Sequence, residues 1–245
     1  MILASTQFEP VQEDILNNLE KHYHFIEVAA SHHANLILFP EMSMTSYLRT
    51  SADKLAFTPD DPRLKRLKEL AITHQLIIIA GAPIQQNNKL YIGSFSLLPD
   101  GRTEIYTKHY LHEGEDTIFS GSFDYDPEIR VNGEIIRQAI CADIDHPEHA
   151  KAAAKKGATL YLPSIFFSAN GIGYGHEFLQ SYAKKHHMNV LMSNFCGQVW
   201  DTKSGGRSAF WDNTGKLIAS LNEKEEGLLL IEKQNNGWKN KTIKL

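Results

Sequence analysis

Three side chains that follow strand-like runs are of types that can do chemistry: the thiol of Cys141, the carboxyl of Glu41 and the amine of Lys108. Cys141 ends an apolar, strand-like run over residues 135–140. A polar turn and helix start come directly after it, Ala142-Asp143-Ile144-Asp145-His146-Pro147-Glu148. A strand-to-helix elbow presents a side chain to a cleft, and a helix N-terminus offers backbone N–H groups to a developing anion. A thiol is also the side chain closest to being nucleophilic at neutral pH without help. Glu41 stands behind the apolar run 36–39 and Pro40, at the strand-tip edge where open α/β sheets place ligands. Lys108 comes after residues 104–107, and the acidic run His112-Glu113-Gly114-Glu115-Asp116 lies shortly beyond it. Taken singly, each has a plain alternative: a buried small hydrophobe for the cysteine, a hydrated surface charge for the others.

Other chemistry finds less support. Cys141, Asp143, His146 and His149 are ligand types within nine residues, but a zinc site also needs converging geometry and a second shell, and no metal is expected. His32-His33 and His186-His187 are adjacent pairs whose side chains diverge. Gly171-Ile172-Gly173-Tyr174-Gly175 misses the dinucleotide spacing and reads as a flexible loop beside the cleft, with Phe166, Phe167 and Tyr174 as pocket candidates. Cys196 has no base or lysine motif near it and reads as structural.

These residues must be held by alternating elements. Residues 2–6 read as a first strand, and Val11, Ile15, Leu19, Tyr23 and Ile26 recur at helical spacing over residues 11–33. The run 36–39 suits a strand buried on both faces. A helical pattern covers 60–74, and a second buried strand covers 76–82. Residues 90–98 and 104–107 flank the Pro99-Asp100-Gly101 turn as an antiparallel pair. After the strand before Cys141 come a helix near 148–156, a strand at 159–162, a helix near 176–187 and a strand at 189–193. Residues 208–211 and 216–220 flank a turn as a hairpin, and 227–232 form the last strand. Strands of both kinds with helices between them imply an α/β fold with a mixed sheet, or pair of sheets, and helices outside. The pattern reads as a single domain over residues 1–232, with a polar tail over 233–245 expected as a loose arm that Trp238 could anchor on a partner surface.

Bulk composition narrows the class. A net charge of −4, with no basic block before the last few residues, argues against a nucleic-acid partner. With only two cysteines, reduced thiols and a cytoplasmic location are expected. The N-terminus lacks the charged start and apolar core of a signal peptide, and no apolar run is long enough to cross a membrane.

Three segments together are far more specific than each alone. Phe39-Pro40-Glu41 ends one strand. Tyr106-Thr107-Lys108-His109-Tyr110-Leu111 ends another, with Glu115-Asp116-Thr117-Ile118-Phe119-Ser120-Gly121 close behind. Ile140-Cys141-Ala142-Asp143, then Pro147-Glu148, ends a third. This order resembles the nitrilase superfamily of carbon–nitrogen hydrolases, and the resemblance runs along almost the whole chain. It implies a four-layer αββα sandwich of two mixed sheets with helices on the outer faces. It also implies a homodimer paired through helices flanking the site, no cofactor, and a Glu–Lys–Cys triad matching Glu41, Lys108 and Cys141. Glu115 matches the family's second glutamate better than Glu113, because it precedes the aromatic residue and glycine of the pattern.

The resemblance also implies a mechanism. Glu41 takes the thiol proton as Cys141 attacks, and Lys108 with the Ala142 backbone N–H holds the oxyanion. Glu115 orients Lys108 or the substrate amide. Lys108 favours the thiolate, whereas a charged Glu41 opposes it. Nitrilases proper carry tryptophan and glutamate after the nucleophile; here Ala142-Asp143 stand there, which favours a small linear amide over a nitrile. Asp145 and His146 replace residues that shape the pocket in relatives, Tyr47 belongs to the same pocket, and Ser46 stands where a glycine is common. Negative charge at Glu115, Asp116, Asp143 and Asp145 points to a neutral or cationic substrate. Nitrile or N-carbamoyl amine hydrolysis, acyl transfer to an acceptor other than water, and a non-catalytic binding protein on the same scaffold stay open.

Overall fold

The computed structural model describes residues 1–245. In chain order its elements are β1 (Ile2–Gln7), α1 (Ile15–Ser31), β2 (Leu36–Leu38), α2 (Ala52–Leu55), α3 (Lys65–Thr73), β3 (Ile77–Gln86), β4 (Lys89–Leu97), β5 (Thr103–Thr107), β6 (Ile129–Val131), β7 (Glu134–Ile140) and α4 (Pro147–Lys155). Then come β8 (Leu160–Ser164), α5 (Ile172–His186), β9 (Asn189–Met192), β10 (Gln198–Val199), β11 (Thr202–Lys203), β12 (Ala209–Trp211), β13 (Leu217–Ser220), β14 (Gly227–Gln234) and β15 (Gly237–Lys244). A seven-stranded sheet has the order β15-β14-β1-β2-β3-β4-β5, and a six-stranded sheet the order β13-β12-β9-β8-β7-β6. Each is mixed: β1-β2-β3 and β7-β8-β9 run parallel, and the flanking strands pair antiparallel.

Alternation of side chains along the strands sets the layers. Leu36 and Leu38 of β2 and Ile77 and Ile79 of β3 join Ile136, Leu160, Leu162 and Leu191 of the other sheet in one apolar cluster, which is the layer between the sheets. The intervening Ile37, Ile78 and Ala80 turn outward to Tyr23, Ile26, Leu67 and Ala71 on α1 and α3, and Ala139, Tyr161 and Val190 to Ala150, Ala153, Leu179 and Tyr182 on α4 and α5. The result is a four-layer αββα sandwich. Each fully buried Leu or Ile stabilises it by about 1.5–3 kcal/mol. Gln138 of β7 is a polar pin between the sheets, accepting from Ser94 Oγ at 2.8 Å and donating to Ser96 Oγ at 3.1 Å.

Element ends moved where a polar cap outranks apolar spacing. Helix α1 starts at Ile15 rather than residue 11, because the Asp14 carboxylate accepts the Asn17 backbone N–H at 3.1 Å. The 60–74 pattern splits into a 3-10 turn at Pro62–Leu64, capped by Asp61, and α3. Residues 171–175, expected as a flexible loop, contain the first turn of α5 instead, with the Phe167 ring packed over Gly175.

The tail over 233–245 is the clearest correction. It is not a loose arm: residues 237–244 form β15, paired antiparallel with β14 along its whole length. Its apolar anchors point to opposite faces, so no alternation shows in the sequence. Trp238 sits edge-on to Phe210 with ring centroids 4.7 Å apart, while Ile243 packs on the helix-side core. No helix in the structure is long and apolar enough to cross a membrane.

Candidate active site

Three strand tips meet at one rim. Strands β2 and β5 of one sheet deliver Glu41 and Lys108; β7 of the other delivers Cys141. Gly81 of β3 lets the Glu41 turn settle on the sheet, since a Cβ there would lie 2.5 Å from the Met42 backbone N. Lys108 is fully buried, and its Nζ donates to Glu41 Oε1 at 2.8 Å and to Glu115 Oε1 at 2.9 Å. Glu115 is held in turn by the Tyr47 hydroxyl at 2.9 Å and the His112 backbone N–H at 2.8 Å. An ammonium has three hydrogens, and the two carboxyls engage two of them, leaving one for a ligand.

The charges tune one another. Burial pushes the Glu41 carboxyl up to about 7, with Lys108 pulling down and Glu115 pushing further up. Burial also works against the Lys108 charge, but the surrounding Glu41 and Glu115 outweigh it and hold the lysine well above its usual value. For Cys141, burial and then Glu41 push the thiol well above its ordinary range, and the downward pull of Lys108 does not compensate. The expectation that Lys108 favours a thiolate therefore holds in direction but is outweighed: the resting group is a thiol. Its Sγ lies 3.6 Å from the Phe166 carbonyl oxygen. Glu41 Oε2 is buried without a hydrogen-bond partner, and the Cys141 side chain slightly lowers the proton affinity of the Glu41 carboxyl. A carboxyl raised towards neutral pH near a protonated thiol is an arrangement that can pass a proton from sulfur to carboxylate.

Cys141 occupies a strained elbow, with φ of +42°. Beyond the elbow the chain does not enter an α-helix directly. It makes a 3-10 turn, Cys141–Asp145, and α4 begins only at Pro147. Ala142 lies in the first turn of that 3-10 helix, where backbone N–H groups lack intrahelical acceptors. Fully buried Asp143 imposes the geometry. One oxygen accepts the His109 and Tyr110 backbone N–H groups, each at 2.9 Å. The other accepts the Ile140 N–H at 2.8 Å and the Tyr106 hydroxyl at 2.6 Å. The nucleophile elbow is thereby tied to the segment that carries Lys108. His149, a metal-ligand type by its side chain, instead bridges the Tyr106 and Tyr161 hydroxyls at 2.8 Å each. Sequence reasoning missed the Asp143 role; an acid two residues after the cysteine was its only local signal.

A cavity of about 390 Å³ opens over the sulfur, lined by Glu41, Glu115, Cys141, Tyr47, Asp145, Phe166 and Phe167 among others. Tyr174, Trp200 and Arg49 also line it. His146 does not: it stacks on Tyr110 with ring centroids 3.8 Å apart, held outside the cavity by that ring contact. Ser46, where glycine is common in relatives, has φ of +64°, a left-handed conformation that explains the usual glycine.

Two mixed sheets under helices bring a sulfur, an ammonium and two carboxyls together at one rim, groups of the types used in acyl-transfer chemistry. The carbon–nitrogen hydrolase model matches residues 2–240, and the chain belongs to that family; the match runs past the expected boundary at residue 232. A 2-oxoglutaramate amidase of Bacillus subtilis is 25% identical over 233 residues, covering 94% of this chain and 89% of that protein. An omega-amidase of Saccharomyces cerevisiae is 25% identical over 249 residues, covering 91% and 84%. Among solved structures, a mutant of the amidase from Nesterenkonia sp. AN1 in complex with butyramide superposes with a TM-score of 0.86 at 21% identity, over 94% of this chain and 89% of that one. At that identity the likeness speaks for the fold.

Proposed function

We propose that the protein hydrolyses the carbon–nitrogen bond of a small linear amide through a thioester on Cys141. The observation that carries this reading is a buried Glu41 carboxyl with one partnerless oxygen, lining the same cavity as the Cys141 thiol, next to a lysine with a donor to spare. Glu41 takes the thiol proton as sulfur attacks the carbonyl carbon. The resulting oxyanion is held by the Lys108 ammonium and the Ala142 N–H, donors worth about 3–4 kcal/mol each at such a position. Glu41 passes its proton to the departing ammonia or amine, then takes one from water as that water attacks the thioester; the carbon–sulfur bond breaks, the acid leaves, and Glu41 returns the proton to the Cys141 sulfur. Glu115, anchored by Tyr47 and the His112 N–H, fixes the Lys108 Nζ. No residue in this scheme requires a metal or organic cofactor.

The relatives named amidases support an amide over a nitrile, as does Ala142-Asp143 after the nucleophile. A cytoplasmic homodimer is part of the same proposal. The two unpaired cysteines suit a reducing compartment, and Phe123 and Tyr174, 61% and 58% exposed, offer apolar surface to a second copy. Sedimentation of the purified protein reads the dimer. An ammonia-release screen over small amides, ureas and nitriles tests the function. Release from an amide that is lost in Cys141→Ala supports it; amide turnover by Cys141→Ala at the full rate overturns it.

A further inference from the structure

The cavity carries a cation that the thioester chemistry does not use. The Arg49 Nε donates to the Tyr47 hydroxyl at 2.9 Å, which fixes the plane of the guanidinium. Its central carbon lies 5.7 Å from the Tyr47 ring centroid and 5.3 Å from that of Trp200. Room for it comes from Gly114, with φ of +80°, where a Cβ would stand 2.8 Å from Arg49 Nη1. Four features therefore fix this head group on the wall of the site that holds Cys141, while Nη1 and Nη2 have no protein partner. A rigid fork with two free N–H edges matches a carboxylate geometrically, which a point charge does not.

The acids around it mostly have partners of their own. Glu41 and Glu115 are bound to Lys108, Asp143 is buried with four donors, and exposed Asp116 does not line the cavity. Of the four acids that pointed to a neutral or cationic substrate, Glu115 and Asp145 line the cavity, and Glu115 is paired with Lys108. Asp145 is exposed, so water screens it. We propose that Arg49 is a specificity-determining residue that grips a carboxylate at the far end of the substrate, making the preferred substrates monoamides of short dicarboxylic acids, with or without a further substituent on the chain.

This inference rests on the amide-hydrolase reading, and three amides of similar length separate the two: butyramide (neutral), glutaramate (anionic) and 4-aminobutyramide (cationic). Wild-type protein should favour glutaramate over butyramide by about 10- to 100-fold in kcat/KM, the range of a charge-assisted bidentate contact, with the difference mostly in KM. Arg49→Met should collapse that ratio towards one, and Arg49→Lys should restore only part of it. Losses common to all three amides, as from a disturbed Tyr47, cancel in the ratio. An unchanged ratio in Arg49→Met, or a wild-type preference for 4-aminobutyramide, overturns the inference while leaving amide hydrolysis standing. If no amide is turned over, the amide reading fails; glutaramate binding to Cys141→Ala protein by calorimetry then decides on Arg49 alone. Binding weakened about tenfold or more by adding Arg49→Met supports the clamp, and equal binding overturns it.

Discussion

At Glu41 a buried carboxyl, a buried lysine and a thiol share one proton inventory, and this sets the pH dependence. The Glu41 carboxyl is raised to about 7, so below that pH it carries a proton and cannot accept one from sulfur. The kcat/KM for a neutral amide should therefore fall about tenfold per pH unit on the acid side of 7 and level off above. An acid limb near 4.3, where an ordinary glutamate titrates, would contradict the assignment. Glu41→Gln should cost about 10² to 10⁴ in kcat, read by the same ammonia assay. Removing the cation tests the ion cluster differently. Lys108→Met leaves two carboxyls facing each other in a dry site and should lower unfolding stability by about 3–5 kcal/mol in urea titrations. Arg49 shows what a lone residue hides: Tyr47, two residues before it, marks the pocket, but only the folded neighbourhood of Tyr47, Gly114 and Trp200 gives the guanidinium a direction.

The strand tips carry most of what the sequence revealed. Apolar runs at 36–39 and 135–140 are long-period signals, and each ends at the residue it delivers. The elbow was less legible. Residues 142–148 read as a helix start by local pattern, but the Asp143 carboxylate is drawn to the backbone of residues 109 and 110, far away in the chain. That tertiary pull produces the 3-10 turn and defers α4 to Pro147. Asp143→Asn keeps the shape and loses the charge. It should weaken four hydrogen bonds, lower Tm by several degrees, and cut kcat more than it raises KM, because the sulfur and the lysine lose their shared anchor. Thermal unfolding alongside steady-state kinetics reads both. A fall in Tm with kcat intact would mean that Asp143 supports only the fold.

Across the molecule, two mixed sheets share a dry apolar layer, and the edges of that sandwich need cover. The polar composition of 233–245 concealed an edge strand whose lysines face water and whose Trp238 closes over Phe210. Deleting residues 236–245 should bare the hydrogen-bonding edge of β14, lower Tm and promote aggregation, seen by light scattering on heating. Trp238→Ala alone should cost about 1–2 kcal/mol, since that ring is only partly buried. In the proposed reaction this architecture holds Cys141 where a carbonyl carbon can reach it, and acid-quench mass spectrometry during turnover tests that claim most directly. The peptide containing Cys141 should gain the mass of the amide less ammonia, and the gain should vanish in Cys141→Ala. Steady amide hydrolysis with no such adduct, matched by an equally active Cys141→Ala protein, would contradict the account.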